Sequence, residues 1–187
     1  MRVGKVLFGA IVGVGICAVL YAGVAAQAPA PARGGRGAAP AARVHGNLLQ
    51  VMRGILYPAS NVIFAAQSDD PATIKPATPD PATSPNPLTS SYGGWTAVEN
   101  SGIALAEAAN LLTIPGRMCS NGKPAPIQNA DWQMWVQELR DAGMATYKAA
   151  QSKNMDAILD AAGVVSEACQ HCHDKYREVP GGVKNRC

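Results

Sequence analysis

Large rings are scarce in this chain: its 187 residues hold three Trp, five Tyr and two Phe. Alanine is abundant instead, a balance that suits close-packed helices better than a β-sandwich. No segment alternates polar and apolar residues as a half-buried strand does, and no internal repeat is present. Charge is thin and nearly balanced, with 16 Lys and Arg against 13 Asp and Glu. No basic run stands out, so nucleic acid is not an expected partner. The carboxylates are scattered and form no catalytic constellation, and no enzyme is expected. Histidines number three, and no second Cys pair or spaced His pair completes a zinc site.

One long apolar run opens the chain. Arg2 and Lys5 precede Leu7 to Ala26, which ends in the small residues Val24, Ala25 and Ala26 before Gln27. This is the pattern of a secretory signal over residues 1–26. The run is about 20 residues, enough to span a bilayer, so a retained membrane anchor at 7–26 stays open. Ile16 stands where a lipoprotein would place a small residue before Cys17. Either way the rest of the chain is expected to be exported, to a periplasmic compartment that tolerates disulfides. Loss of Arg2 and Lys5 would bring the formal net charge from +3 to about +1. Residues 27–43 are rich in Pro, Ala and Gly without periodicity and read as a linker.

Four segments of 44–187 carry helical periodicity. In the first, 44–67, Leu48, Met52, Ile55, Ala59 and Val62 share a face. Pro58 within it removes a donor and crowds the carbonyl of Gly54, predicting a kink or break. The second, 95–113, aligns Val98, Gly102, Leu105, Ala109 and Leu112 and stops at Pro115-Gly116. The third starts near Asn129, a candidate cap, with Trp132, Trp135, Leu139, Ala142 and Thr146 in its stripe. The fourth, 154–179, aligns Ile158, Ala162, Val165, Cys169, Cys172 and Tyr176 and ends at Pro180-Gly181-Gly182. Residues 68–92 and 115–128 carry no pattern and read as long loops. The expected fold is all-α, most simply an antiparallel four-helix bundle.

Cys169-Gln170-His171-Cys172-His173 has the spacing of covalent haem attachment. Near one turn of helix, the two thiols are offset so that each reaches a different vinyl group of one porphyrin. The residue that follows then presents an imidazole nitrogen to the iron. Covalent linkage retains the group in an open compartment. A thioredoxin-like thiol pair expects a βαβ context that is absent here.

The motif lies near the end of the last helix and continues as Asp174-Lys175-Tyr176-Arg177. The stretch CQHCHDKYR resembles the C-terminal signature of the cytochrome c′ family, the class II c-type cytochromes, in which an aromatic and an Arg follow the haem histidine at this spacing. The resemblance spans roughly residues 44–179. It implies a four-helix bundle with one haem c packed against the last helix, thioether bonds at Cys169 and Cys172, and His173 as proximal iron ligand. Tyr176 and Arg177 lie one turn on, within contact distance. Tyr176 is therefore expected at the haem edge. Arg177 is expected beside the proximal histidine or a propionate, or else solvated at the helix end. A homodimer stays open. The long loop at 68–92, Pro58, Cys119 and Cys187 depart from the family's pattern.

The sixth iron ligand decides the function that the resemblance implies. Leu48-Leu49-Gln50-Val51-Met52-Arg53 resembles the stretch that supplies a methionine ligand in low-spin relatives, and Met52 falls on the expected core face. With His173 and Met52 both bound, the protein would be a one-electron carrier between redox partner proteins. If Met52 only fills the core, Val51 or Ile55 would crowd an open site, and the protein would bind a small gas such as nitric oxide or carbon monoxide. A peroxidase reading has only His45 as a distal acid or base. His45 is expected to be exposed near the helix start, His171 solvated or paired with a propionate, and Met118 in a loop. With Cys17 cleaved and the haem taking two thiols, Cys119 and Cys187 are left to pair in an oxidising compartment.

Overall fold

The computed structural model describes residues 42–74, 87–89 and 92–187. The expected signal or anchor at 1–26 lies outside them, as do residues 27–41 of the linker and most of 75–91. Among the described residues all regular structure is helical, with one isolated bridge between Met118 and Pro124. None of the described helices is long and apolar enough to cross a membrane.

The first helix is built in three pieces without a break: α1 (Leu48–Val51), a π-helical turn (Met52–Leu56) and α2 (Tyr57–Ala65). Asn47 caps its start reciprocally with Gln50, each side chain accepting from the other's backbone N–H at 2.9 Å. Pro58 explains the middle piece. It donates nothing and its ring crowds the carbonyl four residues back, so the turn ahead of it widens. The N–H of Tyr57 reaches back five residues to the carbonyl of Met52. Of the kink or break expected from sequence, the helix shows no break at the proline, but one extra residue enters the turn and the inward stripe slips. Leu56, Ser60 and Ile63 are buried, while Ile55 is 38% exposed.

Three longer helices follow: α3 (Trp95–Leu111), α4 (Ala130–Ser152) and α5 (Met155–Tyr176). Asn154 caps α5 by accepting from the N–H of Ala157 at 3.1 Å. Asn129 stands at the start of α4, but its side chain makes no capping bond; it donates to the Tyr176 hydroxyl at 3.1 Å. α4 packs against α3 and α5, and α2 packs against α3 and α5. Where α3 meets α4, Gly102 and Gly143 bring the two backbones together. A Cβ on Gly143 would sit 2.7 Å from both the Ala106 nitrogen and the Gly102 oxygen.

Two apolar clusters result. One gathers Leu88, Trp95, Val98, Ala150 and Ile158. Leu88 sits in a 3-10 turn (Pro87–Thr89), so the long loop contributes a fully buried side chain. The other gathers Leu48, Leu105, Trp132, Leu139 and Val165, and it borders the site. A disulfide joins Cys119 to Cys187, with Cα atoms 4.6 Å apart. It ties the loop after α3 to the tail beyond α5, which carries a second 3-10 turn (Gly182–Lys184).

Candidate functional site

On α5, residues 169, 172, 173 and 176 recur at three- and four-residue steps and therefore share one face. Their side chains line a single cavity of about 380 Å³. Its other walls are apolar: Leu48, Leu49, Met52 and Leu56 from the first helix, Leu105 and Leu112 at α3, Trp132, Trp135, Val136 and Leu139 from α4. Val183 and Cys187 close it from the tail. The volume falls within the roughly 300–1,000 Å³ of small-molecule pockets.

Each wall is fixed by ordinary packing and hydrogen bonding. Trp132 is fully buried, and its indole N–H donates to the Leu112 carbonyl at 3.1 Å, locking α4 to the end of α3. Tyr176 meets Trp132 edge-on at 5.1 Å and Trp135 at 5.9 Å. Its hydroxyl donates to Asp131 at 2.8 Å. Lys175 pairs with the other oxygen of Asp131, and this bond, then that of Tyr176, hold the carboxyl below the usual carboxylate range. The first helix is located by Arg117, 4% exposed. Its guanidinium donates to the Leu111 carbonyl at 3.1 and 3.0 Å and to that of Gly46 at 2.5 Å. The N–H of Leu48 adds a bond to the Met118 carbonyl at 2.8 Å.

Electrostatically the site favours neutral forms. Burial pushes the Cys172 thiol up to about 12 and raises that of Cys169. A thiol-exchange pair works as a low-pKa thiolate, commonly at a helix N-terminus. These two are protonated and stand near a helix C-terminus, against the thioredoxin-like reading. Burial first, and the Arg177 charge second, lower the pKa of His173, which keeps the imidazole neutral and able to bind a metal. Among the described residues no group of three or more His, Cys, Asp or Glu side chains is arranged to hold a metal ion.

The charged residues on the lining are Arg53, Arg177 and Arg186, with no carboxylate among them. A haem attached at this motif needs two thiols and an imidazole on one helical face. It also needs an apolar slot and cationic groups on the lining to match its carboxylates. The residues present meet each requirement.

Of the residues named from sequence, Cys169, Cys172, His173, Met52, Tyr176 and Arg177 converge on the cavity. Met52 is half-buried in its wall. Arg177 also pairs with Glu178 at 2.6 Å. Val51 is buried in the core beside the cavity, and Ile55 points outward; neither lines it, contrary to the role expected of them in an open site. His45 is exposed ahead of α1, Met118 is 37% exposed in its loop, and His171 is exposed and bonds Glu138 at 2.8 Å. Sequence reasoning missed Arg53 and Arg186. The second had a signal: it precedes Cys187, so the disulfide fixes its place.

No family model, curated protein or solved structure matches the chain.

Proposed function

We propose that this protein is an exported one-electron carrier of the cytochrome c′ type, with its helices arranged as an antiparallel four-helix bundle. One haem c occupies the cavity, bound through Cys169 and Cys172, with His173 as proximal ligand and Met52 as sixth ligand. The observation that carries this is the convergence of all four side chains on one apolar cavity. When bound, the haem supplies reversible ferric–ferrous exchange, accepting an electron from one redox partner and giving it to another.

The chain's own residues do the rest. Leu48, Leu49, Leu56, Leu105 and Leu139 exclude water from the cavity, which keeps its local dielectric low. His173 is kept neutral by burial and so available as a ligand. Trp132, Trp135 and Asp131 fix Tyr176 against one edge. A thioether opposite an imidazole is a standard electron-transfer pair and raises the potential. The disulfide between Cys119 and Cys187 suits an oxidising compartment and supports export.

The test is the visible spectrum of the purified, reduced protein with and without carbon monoxide. Sharp low-spin bands that ignore the gas are expected, because both axial positions are filled. Broad high-spin bands that shift on adding it would overturn Met52 ligation and make the protein a gas-binding one. Absence of covalent haem would sink the whole reading.

A further inference from the structure

We propose that the disulfide-tied C-terminal tail is a strap across the cavity and that Arg186 on it anchors a carboxylate of the bound ligand, a haem propionate on the reading above. The inference rests on that reading for the ligand's name, but the site stands on its own geometry. Cys187 is pinned twice: by its bond to Cys119, and by its N–H, which donates to the Tyr176 carbonyl at 2.9 Å. Its neighbour Arg186 is thereby held at the cavity wall, beside Val183.

Arg186 Nε is buried and has no hydrogen-bond partner, the one such side-chain nitrogen or oxygen among the described residues. Buried donors are nearly always satisfied, and an open one on a side chain that lines a cavity points to a ligand acceptor within reach of that guanidinium. The lining narrows the chemistry of that acceptor. Arg53, Arg177 and Arg186 are joined there by no carboxylate, so an anionic group is matched and a cationic one repelled. Glu178, ion-paired with Arg177 and close enough to feel Arg186, offsets part of this charge from outside the lining. The walls are otherwise apolar, so the ligand has a flat or bulky apolar body with an acidic edge.

The experiment measures the reduction potential of the haem-bearing wild type, Arg186→Gln and Arg186→Lys. A positive charge beside a propionate favours the ferrous state. Arg186→Gln should therefore shift the ferric–ferrous balance toward ferric on the order of tenfold, about 59 mV. Arg186→Lys should recover most of the shift. A purely structural arginine would alter melting but leave the ferric–ferrous balance within about twofold, and that result overturns the inference.

If the purified wild type carries no covalent haem, the functional reading fails and the anchor is tested alone, with metal-free protoporphyrin IX and its dimethyl ester. Preference for the diacid, lost in Arg186→Gln, would sustain the anchor. Equal binding of the two would end it.

Discussion

Met52 is the residue on which the functional choice turns, and its surroundings define a clean substitution. It is half-buried in the cavity wall between Leu49 and Leu56. Leucine replaces it at similar volume, so packing is kept while the sulfur is lost. In Met52→Leu the reduced protein is expected to bind carbon monoxide. Its potential should also fall, because a thioether ligand raises it. An unchanged spectrum and potential would assign Met52 to packing alone. The motif residues were legible because their chemistry is local: a spacing of three and four on any helix gathers Cys169, Cys172 and His173. Arg186 was legible only through the disulfide expected beside it, since its position depends on that crosslink closing over a sequence separation of 68. Arg117 was hidden. Nothing in its neighbours announces that a loop arginine is buried against backbone carbonyls rather than solvated.

At the level of elements, two features decide how well the pattern could be read. Pro58 signalled trouble in the first helix, but a widened turn and a break share that signal. The one-residue slip it causes moves Leu56 inward in place of Ile55, and a stripe counted at steps of three and four cannot contain it. The contact between α3 and α4 was half legible. Gly102 fell on the expected face, whereas Gly143 went unremarked beside Ala142. Glycine is required at both positions by a close backbone approach. Gly143→Ala would bring a Cβ within 2.7 Å of backbone atoms of α3, which cannot swing aside as a side chain does. It is expected to cost about 1–3 kcal/mol in denaturant unfolding. Gly163, exposed on α5 with nothing within 4 Å, supplies the contrast. Gly163→Ala should stabilise by about 0.5–1 kcal/mol through helix propensity. Equal effects of the two changes would remove the close packing of α3 on α4 as their cause.

At the scale of the whole molecule, the disulfide is the only covalent link among the described residues between distant parts of the chain. It closes a loop that contains α4 and α5 entire, and so the whole of the motif-bearing helix. The chain-entropy account of a crosslink grows with loop length. For a sequence separation of 68 it gives about 4 kcal/mol of stabilisation, acting through the unfolded chain. Replacing Cys119 and Cys187 together by Ser should lower the unfolding free energy by at least that amount. Cys119 is 3% exposed, so part of any loss comes from a buried hydroxyl instead. Reducing the wild type separates the two, because the thiols keep their volume and apolar character. The reduced wild type and the double serine variant should then differ by about 1–3 kcal/mol, the burial penalty of the hydroxyl. Both should unfold in denaturant well before the oxidised protein. On the proposed reading the haem spectrum of either should persist, since attachment would run through Cys169 and Cys172 and not through the tail. If the reduced wild type were as stable as the oxidised, the unfolded chain would already hold its tail near the loop after α3, and the crosslink would serve only to seat Arg186.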